Sequence, residues 1–541
     1  MQRKPLSVGG VWEVVKTLYK LVSNNMNLHA DSALIVAVVI LICTILWSIQ
    51  KLVKSGKRRP SLPPGPHGLP IVGYLPFLRQ DLHHQLTDLA SKYGSIYKLW
   101  VGNKLWTVIS SPDLIKEVVR DQDTIFANRD ITVAARIGSY GFNDIAFSPY
   151  GSQWRNLRKL FVREMLSNTN LEASYNLRKD EVRKTIKEIY SKIGTPINIG
   201  ELAFKVDLNV IINLIWGGKI QGERRDRILA SLLPVLAGML DLLVKPNISD
   251  FFPVLANFDI QGVAKEMTTL LQRVEGIIED TIDERIKNPS NKTEALAAKK
   301  DGRTDFLQIL VDLMQEEGNK ESLGKTQIKA MLINILVGGT DTSATTIEWV
   351  MAELLCHPNV MKKVQNELDE VVGLNNIVEE SHILKLEYLD AVVKETLRLY
   401  PLGPFLTPRT PSQSCIVGGY TIPKDSAVFL NVWFVQRDPL AWENPLEFKP
   451  ERFLCNTRKW DFSGNNFNYL PFGSGRRVCA GLPLAERMVR LVLASLLHSF
   501  EWQLPDGEKL DMSDKLMMTL RKKIPLHAVP LPKLSNTDLY E

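Results

Sequence analysis

The sequence predicts a mostly helical α+β globule held behind an N-terminal transmembrane helix. Three observations carry that expectation. Ser32–Ile49 is an uncharged apolar run. Helical periodicity fills most of the chain from Leu114 to Glu370. Strand-like runs are confined to residues 95–110, 416–434 and the C-terminus. The 541 residues are 45% hydrophobic and 23% charged, close to the soluble average, which excludes a polytopic membrane protein and a disordered chain. Five cysteines are too few and too odd in number for a secreted disulfide scaffold. A net charge of +6 is too weak to point to nucleic acid, and no basic–aromatic stretch suggests a strand-tracking groove.

The elements follow in chain order. Residues 1–31 form an N-terminal, lumenal tail. Within it Val11, Trp12, Val15, Leu18, Tyr19 and Val22 fall at helical spacing, which suits a short helix in the membrane interface or an unstructured tail. Residues 32–49 form the anchor: as a helix they span about 27 Å, with only Ser32, Thr44 and Ser48 as polar side chains. A core helix would show a broader polar stripe, and a cleaved signal peptide would start earlier and end in small residues. Lys51, Lys54, Lys57, Arg58 and Arg59 follow the span against Lys16 and Lys20 before it, so the C-terminal bulk is expected in the cytosol. Sequons at Asn247 and Asn291 would then escape glycosylation. The linker, 50–66, ends in Pro63-Pro64-Gly65-Pro66, a stiff extended connector.

Residues 67–541 show no repeat and no second linker, and read as one domain. Ser95–Val101 and Leu105–Ser110 predict a hairpin turning at Gly102-Asn103-Lys104. Asn128–Pro149 reads as loop and Asn288–Thr304 as an exposed polar loop. Ile328, Met331, Leu332, Ile335 and Leu336 mark a helix.

Four constellations carry chemistry. In Phe472-Gly473-Ser474-Gly475-Arg476-Arg477-Val478-Cys479-Ala480-Gly481, three glycines permit a tight loop that brings backbone against something large and flat. A helix is expected just after Cys479, so its thiolate would sit at a helix N-terminus beside two arginines. The other cysteines (Cys43, Cys356, Cys415, Cys455) read as structural. The spacing Phe472-x-x-Gly475-x-Arg477-x-Cys479-x-Gly481 resembles the heme-thiolate signature of cytochromes P450. That resemblance makes Cys479 the axial ligand of the iron of heme b, its thiolate favouring O–O cleavage. Zinc and iron–sulfur ligation lack the necessary Cys-x-x-Cys pair or Cys/His cluster.

Gly338-Gly339-Thr340-Asp341-Thr342-Ser343 interrupts the predicted helix, and two glycines there cost about 1 kcal/mol each relative to alanine. The pattern is similar to the family's oxygen-activation motif, in which the glycines thin the wall over the heme, Thr342 donates to dioxygen and Asp341 relays protons. Without the cysteine loop it would read as a kink. Lys394-Glu395-Thr396-Leu397-Arg398 and Phe448-Lys449-Pro450-Glu451-Arg452-Phe453 look like the two halves of the family's buried charge network, formed by Glu395, Arg398 and Arg452. Trp154-Arg155-Asn156-Leu157-Arg158 reads by itself as a basic helix; by resemblance Trp154 and Arg158, with Arg409 and Arg477, are heme-propionate donors.

All four motifs occur in family order. The anchor, basic stop and proline hinge look like a plant microsomal member, on the endoplasmic reticulum with its catalytic domain facing the cytosol. The resemblance implies electrons from NADPH through a membrane-bound NADPH–cytochrome P450 reductase, whose acidic face would meet Arg155, Lys159, Arg163 and Arg476. By family position the substrate pocket takes Val133, Ile137, Phe142, Ile145, Leu402, Phe405, Leu406, Met517 and Met518, with Arg136, Asp144 and Lys515 as the charges nearby. A small apolar substrate is expected. Tyr97–Asn103, Glu117–Arg129 and Val337–Thr342 look like a plant subgroup containing cadinene hydroxylase, which points to terpenoid, and in particular sesquiterpene, hydroxylation. Phenylpropanoid, flavonoid or aldoxime-pathway oxidation is the alternative by the same chemistry. A reductase-independent isomerase or dehydratase would usually lack the Asp341-Thr342 pair, and a heme sensor would need no proton path.

Overall fold

A computed structural model describes residues 61–287, 305–315, 323–454 and 460–541. The tail, the anchor, the first part of the linker, Cys43, Cys455, Asn291 and the 288–304 loop lie outside the described residues.

The end of the linker is tied to the domain. Lys98 N–H donates to Pro64 O (2.8 Å), Lys98 Nζ donates to Pro63 O, and Thr421 N–H donates to Ser61 O (3.2 Å). After helix α1 (Leu82–Tyr93), strands β1 (Ile96–Val101) and β2 (Lys104–Ile109) pair antiparallel with Val101 opposite Lys104, so Gly102 and Asn103 make the turn. Strands β3 (Asn128–Arg129), β5 (Arg409–Thr410) and β8 (Ala427–Leu430) complete a five-stranded sheet in the order β1-β2-β8-β5-β3, in which β2 and β8 run parallel. Its three-residue companions β6 (Cys415–Val417) and β7 (Tyr420–Ile422) form a hairpin.

Helices build the rest: α2 (Val133–Gly138), α3 (Ser152–Glu164), α4 (Tyr175–Tyr190), α5 (Ile199–Trp216), α6 (Gly222–Val244), α7 (Val263–Lys287), the long α8 (Lys325–Cys356), α9 (Pro358–Val371), α10 (Glu387–Leu399) and α11 (Leu482–Ser499). The C-terminus adds β9 (Phe500–Gln503) and β12 (His527–Pro532), which pair together, with β4 (Ile197–Asn198) on β12, and the hairpin β10 (Asp514–Leu516)–β11 (Leu520–Lys522).

The largest core surrounds α8, whose buried residues run from Ile328 to Leu354. Helix α5 lies along it: Gly200 meets the Glu348 side chain and Ile211 meets Gly339.

Two stretches differ from the sequence expectation. The loop 128–149 holds β3 and α2, the latter capped where Ala135 N–H donates to Thr132 Oγ1 (3.2 Å). Phe434 is not in a strand: Val432–Val435 is a helical turn, because Asn431 Oδ1 accepts from Phe434 N–H (3.2 Å) and ends β8. Asn247 is buried and caps the next turn by accepting from Ser249 N–H (3.2 Å), which closes that sequon to a glycan.

Candidate active site

The loop carrying Cys479 is closed by its own backbone, with Cys479 N–H donating to Phe472 O (3.0 Å). Gly475 has φ +68°, and a Cβ there would lie 2.3 Å from Val119 O, so the loop can press onto the preceding segment only with glycine. Helix α11 begins at Leu482, as expected. Burial pushes the Cys479 thiol up, while the N–H groups of Gly481 and Leu482 and the positive charge of Arg158 pull it back. Its sulfur lies deep in the molecule yet remains accessible, so it borders an internal space rather than the outer surface. A mostly apolar cleft reaches the cysteine loop at Phe472, lined besides by Thr342 and Thr346 of α8, Leu397 of α10, Leu402 and Val489 of α11.

The two glycines of α8 divide their work. Gly338 faces open space, whereas a Cβ on Gly339 would come within 2.9 Å of Ile211 Cδ1, so this glycine serves the packing of α5 and not the cleft. Thr342 lines the cleft and donates to Gly338 O (2.9 Å), filling the carbonyl one turn back. Asp341 points elsewhere, since neighbouring helical side chains diverge by about 100°. Its carboxylate accepts from Thr519 Oγ1 (2.9 Å) and from Arg521 Nη2, both on the β10–β11 hairpin. Burial raises its pKa and Arg521 opposes that shift. Arg521 is 38% exposed and so connects this buried acid to solvent.

At the other side, arginines converge. Arg409 is buried, with Nη2 donating to Ser474 O (2.8 Å) and Nη1 lying 3.5 Å from Asp123. Arg477 donates to Ala127 O (2.6 Å), Ile145 O (3.3 Å) and Ser148 O, and stacks 4.3 Å over the Trp154 ring. Arg158 donates to Val478 O (2.6 Å) and lies 5.6 Å over the same ring. Trp154 Nε1–H donates to Ile145 O (2.9 Å). A fourth arginine, Arg129, joins them, half-buried and donating to Thr407 O (2.7 Å). Arg129 and Arg409 stand directly opposite on β3 and β5, a like-charge pairing that destabilises a sheet unless an anion sits between. Desolvation, then the neighbouring charges, lowers Arg477 to about 10; Arg409 falls to about 10 by desolvation against the pull of Asp123. The Nε atoms of Arg129 and Arg409 are buried without a hydrogen-bond partner among the described residues.

A family model for cytochrome P450 matches residues 63–528. The chain is a cytochrome P450. It is similar to sugiol synthase of Salvia miltiorrhiza (37% identical, covering 92% of this chain and 99% of that one) and to flavonoid 3'-monooxygenase of Arabidopsis thaliana (36% identical, 92% and 97%). A solved zebra fish cytochrome P450 with progesterone matches with a TM-score of 0.70 at 25% identity, over 83% of this chain and 99% of that one. As a P450 monooxygenase the protein works with heme held by a cysteine thiolate and with NADPH electrons delivered by a reductase.

The residues present fit a P450 heme. The group brings two carboxylates, and the arginine cluster is short of them, Asp123 and Asp144 being the carboxylates that act on Arg409 and Arg477 among the described residues. Sequence reasoning missed Arg129 and Arg521, and placed Thr519 in a substrate segment without its bond to Asp341. Arg129 lies in a stretch read as loop, and the other two carry no local signature. It also misplaced Phe405, which is buried with Trp106 and Phe429 in the core under the sheet, edge-on to Phe429 at 5.9 Å. Glu395, Arg398 and Arg452 do meet: Arg398 donates to Glu395 through Nε (2.7 Å) and Nη2 (2.9 Å), and Arg452 Nε donates to Glu395 Oε1 (3.0 Å).

Proposed function

We propose that Cys479 holds the heme iron, that Arg129, Arg158, Arg409 and Arg477, with Trp154 beneath two of them, take its propionates, and that Phe472 and Gly475 shape the loop below it. Heme supplies, when bound, the activation of dioxygen for insertion of one oxygen atom. Thr342 presents its hydroxyl to the cleft. Asp341 carries protons inward from the solvent that Arg521 borders, while the guanidinium stays charged and holds the carboxylate in place. Because Asp341 and Thr342 face different sides of α8, the hydroxyl and the acid communicate around the helix rather than side by side.

Thr342→Ala is expected to keep heme but divert oxygen to hydrogen peroxide, and fully coupled turnover in that variant refutes the proton path. Arg521→Ala is expected to lower turnover several-fold while leaving substrate binding unchanged, with a larger solvent deuterium isotope effect. An unaltered isotope effect removes Arg521 and Asp341 from proton delivery.

We infer a small apolar substrate, a terpenoid of the sesquiterpene class, on one observation: each charge near the pocket segments is already engaged or outside. Asp144 accepts from Phe147 N–H (2.9 Å) and Ser148 N–H (2.9 Å), Arg136 lies 5.5 Å over the Phe142 ring, and Lys515 is exposed. Of the charges lining the cleft itself, Arg490 is paired with Asp390 and Glu486, so among the described residues little beyond one buried oxygen of Asp144 is left to anchor an ionic ligand. The flavonoid reading rests on the flavonoid 3'-monooxygenase relatives. Microsomes containing the protein and a reductase, given NADPH and a panel of terpenes and flavonoids, separate the two: an oxygenated sesquiterpene is expected, and oxygenation of flavonoids alone overturns the terpenoid assignment.

A single-pass anchor on the endoplasmic reticulum, with this domain in the cytosol, completes the reading. It is supported by Val254, Phe258 and Ile260, which expose 78%, 73% and 58% of their surface beside the 251–252 segment that touches the β1–β2 turn. The reductase would meet the exposed Arg155, Lys159, Arg163 and Arg476 on the cysteine-loop side.

A further inference from the structure

Helix α1 opens with two consecutive histidines whose rings stay together, with centroids 4.2 Å apart. Both reach the same oxygen across the fold. His83 Nε2 lies 3.0 Å and His84 Nε2 3.5 Å from Asp514 Oδ1, at the start of β10. Trp433 meets both rings edge-on, at 4.7 and 5.3 Å, and fixes their planes. The His83 side chain is fully buried and Asp514 is 15% exposed, whereas His84 is 46% exposed and opens the cluster to solvent. The three donor atoms all lie within 4.8 Å of one another.

A simple hydrogen-bond pair explains one imidazole on a carboxylate oxygen, not two converging on it. His83 Nδ1 is buried without a hydrogen-bond partner among the described residues, so no second group pins the ring proton to Nε2. Metal–nitrogen and metal–oxygen bonds at a zinc site are about 2.0–2.2 Å, which puts neighbouring tetrahedral ligand atoms about 3.3–3.5 Å apart. The two spacings to Asp514 bracket or meet that edge. Two imidazoles and one carboxylate suit zinc-class ions, whereas magnesium and calcium prefer oxygen throughout. Arg437, whose charge acts on Asp514, is committed to Leu399 O and to the face of Trp433.

We propose that His83, His84 and Asp514 form a binding site for one divalent transition-metal ion of the zinc class, separate from the heme site, with water as the fourth ligand on the His84 side. The ion fastens α1 to the β10–β11 hairpin. That hairpin also carries Arg521, with Thr519 just before β11, so the clasp and the two groups holding Asp341 share one short element.

The test uses untagged, full-length, heme-loaded protein, stripped with chelator and desalted. Calorimetric titration with zinc chloride, checked by elemental analysis of the gel-filtered protein, is expected to give one tight equivalent, and magnesium none. His84→Ala and Asp514→Asn should each weaken zinc binding about 10-fold or more with the heme spectrum unchanged, and zinc should raise the unfolding temperature of the wild type only. Absence of saturable binding overturns the proposal, and so does zinc binding of wild-type affinity in either variant.

Discussion

Replacing Cys479 by serine is expected to abolish the thiolate-type spectrum of the reduced carbon monoxide complex and to bring oxygenation to background. The reason lies in what surrounds this one sulfur. Two backbone N–H groups at the start of α11 and the charge of Arg158 favour its anion against the burial that opposes it. A serine hydroxyl in the same field stays neutral, because its proton is far less acidic than a thiol's. The remaining described cysteines lack the two N–H groups, although the charge of Lys522 acts on Cys356. Burial and Glu117 push Cys415 up to about 11, and burial and Glu353 raise Cys356. Cys415→Ser and Cys356→Ser should therefore leave the spectrum intact. A wild-type spectrum in Cys479→Ser refutes the ligand assignment, and loss of the spectrum in either control moves it elsewhere.

Glu395→Ala is expected to destabilise the domain by about 3–5 kcal/mol, seen as a lower temperature for loss of the heme absorbance and a smaller heme-loaded yield. Glu395 and Arg398 are completely buried and Arg452 nearly so. The carboxylate accepts from Arg398 through two nitrogens, from Arg452 Nε and from Lys449 N–H (2.9 Å). Alanine strands two guanidinium charges in a space without water, although Arg398 keeps the carbonyls of Gln436 (2.9 Å), Pro445 (2.7 Å) and Glu447 (3.2 Å). Glu395→Gln keeps an acceptor but not the charge and should fall between. An unchanged melting temperature in Glu395→Ala rules out this network as the lock behind the heme site.

Much of the site was legible because its signals are local. The cysteine loop declares itself through glycines whose backbone geometry is needed within ten residues, and Glu395 and Arg398 share one helical face. The β1–β2 turn and α8 follow from turn chemistry and periodicity in the same way. Other features resisted reading for a common reason. Gly339 looked like its neighbour Gly338 until α5 was packed against it. Phe405 is as apolar as any pocket residue, and only the sheet core claims it. Arg129 became part of the arginine cluster only when β3 paired with β5 and set it opposite Arg409.

The amino-acid order alone determined the helical α+β class, the P450 motifs and residue types suited to an iron porphyrin, since each depends on neighbours a few positions apart. Tertiary packing decided the rest. It set Arg521, 180 residues later, against the Asp341 carboxylate, and brought His83 to Asp514, 431 residues away. Contacts at such separation are fixed by how whole helices and hairpins bury their apolar faces, and no short window of sequence carries that information.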